Sequence, residues 1–389
     1  MNRENMKTIL ILGGSFAGVG TAHRILKQAS KTNLDVKVIL VSPNTHLYWN
    51  IASPRAILPD QFTDEKLFGS IDEGFRRYPD GQFEHIIGFA NRLDTVNRKV
   101  EVSIDAEGTE SVATVSYNFL IIATGSRSKV FDEDVKAPFK GLGSTEATRD
   151  ALHAFQELVK NSKTIVVAGG GPTGVETAGE LGFEYGKDKK IILATSGQTV
   201  LETAIPSVSK TALGMLRDLN VDVKLQTKVS RSSRTKREGT NQLDIYLSDG
   251  NVLSADLYIP TSGIIPNSSF IPDKYVNTNG FVKVDEYLQV KGFENQRVWA
   301  IGDVSDLEPP QLMCADRQSG HLAKNIGLIL NNKTPLPYKG GIHGMGCQIG
   351  RKTGTGQLGW VKLPSFLIHF LRKHLFVERL EPTVDGSVY

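Results

Sequence analysis

Two glycine-rich stretches carry the residue types and spacing of phosphate chemistry. The first, "ILILGGSFAG", places Gly13, Gly14, Ser15, Phe16, Ala17 and Gly18 after an apolar run. The second, "AGGGPTG", places Gly169, Gly171 and Gly174 after the apolar run Thr164–Ala168. In a strand–turn–helix unit that binds a dinucleotide, the first glycine makes the tight turn and the second admits the pyrophosphate. The third lets the helix pack against the strand. The helix N-terminus adds free N–H groups and a positive dipole end. The second stretch meets all three positions. In the first, Ser15 takes the middle place; it is small, and its hydroxyl can bond a phosphate. Read alone, the first stretch could also be a turn that binds nothing. Two such openings in one chain point to a two-nucleotide machine.

Each unit should end its second strand in an acid that holds the adenosine ribose. "DVKVILVSPN" ends at Ser42 instead, which can still bond a ribose, and "KKIILATSGQ" ends at Thr195 and Ser196. The choice between NADH and NADPH stays open. Two further apolar strands close on chemistry-bearing residues. "YNFLIIATGS" ends in Ala123-Thr124-Gly125, and "QRVWAIGDVSD" in Gly302-Asp303. A carboxylate at a strand's carboxyl end suits the hydroxyls of a flavin's ribityl chain. The alternative for Asp303 is a helix N-cap.

These four motifs in order, over Lys7 to about Asn325, resemble the two-dinucleotide-binding flavoprotein superfamily of pyridine nucleotide oxidoreductases. "GGGPTGVETAGEL", "GFVKVDEYLQVKGFENQRVWAIGDV" and the tail "PLPYKGG…GQLGW…PSFLIHFLRKHLF" resemble, more finely, the apoptosis-inducing-factor-like and ferroptosis-suppressor-like flavoproteins of fungal type. The resemblance implies an α/β chain with two Rossmann-type domains of the glutathione-reductase-like fold plus a short C-terminal region. FAD would sit on 1–130 and 268–335, NAD(P)H on 131–267, and the C-terminal region would span 336–389. It implies oxidation of NAD(P)H, with electrons passing through FAD to a quinone-like external acceptor. The disulfide-reducing members carry a closely spaced cysteine pair; Cys314 and Cys347 are the chain's only cysteines and form none. A tailoring enzyme acting on a small metabolite, and an apoptosis-related signalling protein with vestigial redox activity, are the alternatives.

By the same resemblance, Glu176 points to where nicotinamide meets flavin and holds the carboxamide; the alternative is a first-turn carboxylate that favours the helix dipole. Glu180, one turn on, reads as structural. Met313 and Gln318, on the helix after Gly302-Asp303, are implied neighbours of the flavin ring, and Gln318 joins Glu176 as a catalytic candidate. Gly263, in "PTSGIIPN" after an expected strand Asp256–Ile259, lets backbone approach the dinucleotide, or belongs to a plain interdomain turn. Arg55 could pair the FAD pyrophosphate with its planar fork. Tyr48 and Trp49 wall the pocket or pack the core. Cys314 reads as a small packing residue and His321 as a helix-surface one.

The elements that must position these residues belong to a chain of 389 residues, 40% hydrophobic and 22% charged, enough for two or three cores. A net charge of +3, unclustered, gives no support for nucleic acid. The basic run Arg231–Arg237 reads as a solvated hairpin loop. No metal site is legible. The N-terminus has no apolar signal core and Asn2 stands where myristoylation needs glycine. No apolar run reaches the length of about 18 that spans a membrane. The expectation is a cytoplasmic monomer or homodimer, peripheral on mitochondrial or other intracellular membranes if it meets them. The element for such contact would be Leu363–Phe376. Phe366, Leu367, Phe370, Leu371 and Leu375 would share one face of an amphipathic helix, with His369, Arg372 and Lys373 on another. Packing of that helix on its own flavin domain or a partner subunit is the favoured alternative.

Overall fold

The computed structural model describes residues 6–106, 109–129, 137–234, 242–293 and 297–389. The chain begins with β1 (Lys7–Leu12), α1 (Phe16–Thr32), β2 (Val36–Ser42), β3 (Phe83–Ile87) and β4 (Phe119–Ile122). Helix α2 (Thr145–Asn161), whose Ser144 side chain accepts the Ala147 N–H at its N-terminus, leads to a second sheet. That sheet comprises β5 (Thr164–Ala168), β6 (Lys190–Ala194), β7 (Val221–Lys224) and β8 (Leu257–Pro260). Helices α3 (Pro172–Tyr185) and α4 (Pro206–Asp218) connect its strands. The chain then returns to the first sheet as β9 (Val298–Ala300).

Both sheets are parallel, in the orders β9-β4-β1-β2-β3 and β7-β6-β5-β8. β1, β2 and β4 are almost continuously apolar and buried, as parallel strands covered on both faces require. Leu10, Leu12, Leu120 and Ile122 pack with Val100 and Val102 of a three-stranded antiparallel sheet, 89–116. Ile9, Ile11 and Ile121 face the opposite way, toward α1. Helix α5 (Leu312–Leu330) lies against α1; Arg24 reaches across to Asp316 at 2.6 Å and to Ser319 at 2.8 Å.

Two local expectations change. Arg231–Arg234 is strand rather than loop, because it pairs antiparallel with Leu243–Leu247; Lys236 and Arg237 lie outside the described residues. The strand expected at Asp256 starts at Leu257, because the Asp256 carboxylate is used to accept the Lys163 and Thr164 N–H groups, each at 2.8 Å.

The C-terminal region is an antiparallel sheet, β10 (Gly344–Ile349), β11 (Thr353–Leu358) and β12 (Val361–Leu363), followed by α6 (Ser365–Arg372) and α7 (Leu380–Val384). Helix α6 stops before Leu375 and Phe376, which take left-handed φ of 50° and 58°. The shared apolar face therefore divides. Leu375 is buried while Phe366 and Phe370 are 74% and 78% exposed, and Ile368, which the expected face does not include, is buried as well. Ile368 seats against Gly354 and Gly356 of β11, so the helix rests on the C-terminal sheet. The last residues strap back over α1: His23 Nε2 meets the Val384 carbonyl at 2.7 Å, and Lys27 Nζ donates to Gly386 and Tyr389 carbonyls.

Candidate active site

The first turn is a cradle that side chains would fill. Gly13 has φ +117°, and a Cβ there would stand 2.1 Å from the Ala123 carbonyl oxygen; one on Gly18 would stand 1.8 Å from the Gly13 oxygen. Helix α1 thus lies as close to β1 as a pyrophosphate-binding turn needs. Ser15 heads α1 in extended conformation without capping it. The second turn repeats the geometry: a Cβ on Gly174 would stand 1.9 Å from the Gly169 oxygen. Gly171 is different, since a Cβ there would meet nothing within 4 Å. Its smallness keeps open the space outside the helix N-terminus, not the packing beneath.

A cleft of about 750 Å³ joins the two units. Gly13 to Ala17, Ser42, and Ala123 to Gly125 line it from the first sheet, with Gly302 and Asp303 beside them. Glu176, Gly263 and Arg372 line it from elsewhere. Gly18 lies beneath the turn. Gly169, Gly171 and Gly174 are not on its wall, which the second turn reaches through Thr173. Segment 260–267 is tied to β4's end: Asn267 Nδ2 donates to the Thr124 carbonyl at 2.9 Å, and Thr124 Oγ1 donates back to the Asn267 carbonyl at 2.6 Å. Ser42 is buried, with its hydroxyl 3.1 Å from the Asn44 N–H it accepts.

Asp303 is no helix cap, since α5 begins nine residues later with Gln311 at its cap. Its Oδ2 accepts Lys140 Nζ at 2.7 Å and Ser126 Oγ at 3.0 Å. Glu176 is no first-turn dipole partner either: the first turn of α3 holds no acid. It is buried, accepting Arg372 Nη2 at 2.6 Å and the Gln348 N–H at 3.2 Å. Burial raises its pKa above the usual carboxylate value, against the Arg372 charge and the Gln348 N–H, which pull it down.

Three expectations are corrected. Arg55 does not face the cleft: its Nε and Nη2 donate to Glu180 Oε1 at 2.9 and 2.7 Å, and Nη1 to the Lys373 carbonyl. A buried Glu180 needs that counter-charge. Gln318 is a positioning residue rather than one at the reacting atoms. Its Oε1 accepts the Gly302 N–H at 2.7 Å and its Nε2 donates to Glu308 at 2.9 Å. Met313 is 53% exposed and turns away from the cleft, because Leu312 and Ala315 present the inner face of that helix turn. Tyr48 lines the cleft while Trp49 packs beneath it, its Nε1 donating to the Leu375 carbonyl at 2.9 Å. Cys314 and Cys347 are free and buried, and neither lines the cleft. His321 is half-buried, its Nε2 2.8 Å from the Leu336 carbonyl.

The pattern of the pyridine nucleotide-disulphide oxidoreductases matches residues 7–319. The chain belongs to that family. An oxidoreductase of Pestalotiopsis fici, ptaL, is 52% identical over 98% of this chain and 100% of its own length. Ferroptosis suppressor protein 1 of Xenopus tropicalis is 27% identical over 97% of this chain and 95% of its own. Among solved structures, NDH2 of Plasmodium falciparum in complex with NADH superposes with a TM-score of 0.78 at 17% identity, covering 98% of this chain and 97% of its own. The sulfide:quinone oxidoreductase of Aquifex aeolicus gives 0.76 at 17% identity, covering 98% and 92%. The flavoprotein fold with two Rossmann units follows, with FAD and NAD(P)H as this family's cofactors. The tight turn at Gly13 and the open one at Gly171 fit two dinucleotides.

The structure also brings to the cleft residues that the sequence analysis did not single out as site residues. Lys140 and Ser126 hold Asp303, Asn267 joins the two units, and Arg372 faces Glu176. Arg372 carried a signal, its place in an amphipathic helix, but that pattern put it on the outward basic face. Lys140 and Asn267 sit in loops with no periodicity to mark them.

Proposed function

We propose that the protein oxidises NAD(P)H and passes two electrons to a quinone-like acceptor without a redox disulfide. FAD is held by 1–130 and 268–335, and the nicotinamide nucleotide by 131–267. The observation that carries this is a cleft reached from both dinucleotide turns with no thiol on its wall among the described residues. FAD, when bound, supplies the two-electron relay between nucleotide and acceptor. The chain's part is to bind, orient and exclude water. Ser15 and the α1 N-terminus take the pyrophosphate. Asp303, braced by Lys140 and Ser126, accepts from ribityl hydroxyls. Glu176, held by Arg372 and the Gln348 N–H, fixes the carboxamide so that the nicotinamide ring stacks in place. Both thiols have pKa values raised by burial, Cys347 most, which keeps them protonated and poorly nucleophilic. The experiment is reduction of the bound flavin by NADH or NADPH, followed by reoxidation with a soluble quinone.

An acceptor that dissolves in membranes would be met at a surface. Trp360, Phe366 and Phe370 are 89%, 74% and 78% exposed on neighbouring elements of the C-terminal region, with Lys362 and Lys373 close in sequence. Among the described residues, no helix is long and apolar enough to cross a membrane. This patch is our proposed peripheral contact. In flotation with anionic vesicles the wild type should rise with the lipid and the F366S/F370S double variant should not. Equal flotation of both would remove the patch from that role.

A further inference from the structure

The adenosine ribose of a bound nucleotide lies beyond the second strand of its β-α-β unit, where an acid accepts the 2′-hydroxyl and excludes a 2′-phosphate. In the nicotinamide unit that strand is β6, followed by Thr195 and Ser196, with no acid at the usual place. The fold brings one there from further along the chain. The loop after β6 doubles back onto the glycine-rich turn, where the Leu201 N–H donates to the Gly170 carbonyl at 2.7 Å. The next residue, Glu202, lays its carboxylate over Gly197: a Cβ on Gly197 would stand 2.6 Å from Glu202 Cδ. Its Oε1 accepts the Gln198 N–H at 2.8 Å. Oε2 has no partner among the described residues, and Glu202 is exposed to an arriving ligand.

The loop that carries Glu202 has charge of one sign only. From Ile191 to Ser209 the sequence holds no Lys or Arg, and Glu202 is its only charged residue. Lys224, at the end of the neighbouring β7, sits 3.4 Å from the Asp222 carboxylate, which takes up part of its charge. An ionised carboxylate has acceptor sites to spare for a ribose hydroxyl and no donor to offer a phosphate.

We propose that Glu202 is the residue that selects the coenzyme, accepting the ribose 2′-hydroxyl of NADH and repelling the 2′-phosphate of NADPH. The proposal rests on the reading that the second glycine-rich turn holds the nicotinamide nucleotide. A 2′-phosphate adds nearly two negative charges beside this carboxylate, which opposes binding through Coulomb repulsion.

The test is calorimetric titration of the flavin-loaded protein with ADP-ribose and with 2′-phospho-ADP-ribose, for the wild type, E202Q and E202R. The wild type should bind ADP-ribose at least about tenfold more tightly than its 2′-phospho form. E202Q should bring the two within about threefold, and E202R should favour the phosphorylated ligand. A wild type without preference, or an E202Q ratio equal to the wild type's, overturns the assignment while leaving the nucleotide site in place. Failure of both ligands to bind the wild type overturns the site reading itself, and the assignment with it. The visible spectrum of the bound flavin reports whether each variant is folded.

Discussion

Glu176 sits between burial, which favours its neutral form, and Arg372 at 2.6 Å, which favours the charged one. Its pKa is raised, so burial prevails, and removing Arg372 must raise it further. If the ionised carboxylate receives the carboxamide N–H, the acidic limb of kcat/KM for NADH should move up in R372Q by about one pH unit or more. R372K should restore part of the shift. A pH profile that does not move in R372Q would show that Glu176 titrates without reference to its partner. This pair also shows where sequence stops. Glu176 was legible because it stands two residues after Gly174 in a recognisable turn. Arg372 lies 196 positions away, and only folding of the C-terminal region brings them together. Arg55 misled for the opposite reason: its fork suits phosphate and carboxylate alike, and the buried acid that takes it, Glu180, is distant in sequence.

At the scale of elements, the glycine turns separate packing from binding. A Cβ on Gly18 collides with the Gly13 oxygen at 1.8 Å, a backbone atom that cannot swing aside as the end of a side chain can. G18V should therefore lose bound flavin and melt at lower temperature. A Cβ on Gly171 touches no protein atom within 4 Å, and Gly171 is an N-cap with negative φ. G171A should keep its flavin and its stability to within about 0.5 kcal/mol, yet bind the nicotinamide nucleotide more weakly. Flavin absorbance, thermal melting and nucleotide titration on the two variants check both statements. Weak flavin in G171A, or intact flavin in G18V, would contradict them. These elements were readable because parallel strands buried on both faces leave uninterrupted apolar runs, and a dinucleotide turn fixes glycine at set intervals. The tail helix was less readable. Its spacing gives an amphipathic face but does not say which side meets protein, and Ile368 rather than Phe366 or Phe370 is the residue that packs.

Over the whole molecule, the C-terminal strap closes on α1 through His23, which is fully buried between the Val384 carbonyl, Tyr78 and Phe75. Burial holds its pKa down to about 4, from the usual 6.5 of a histidine. In this window the unfolded chain binds a proton that the folded one refuses, so stability is present above pH 6.5 and falls as pH drops toward 4. The loss should approach about 3 kcal/mol. Denaturant unfolding of the wild type and H23Q across that range should show a wild-type slope that H23Q lacks. Parallel curves would mean that the strap holds without regard to this proton.

The central claim, electron flow from nucleotide through flavin to a quinone-like acceptor, depends on both turns serving one cleft. Its most direct test is anaerobic titration of the purified flavoprotein with NADH, followed in the flavin absorbance, with a soluble quinone added at the end. The account predicts bleaching by about one equivalent of NADH and return of the oxidised spectrum on mixing with quinone. A bound flavin that neither NADH nor NADPH reduces, or a reduced one that quinone leaves bleached, would contradict it.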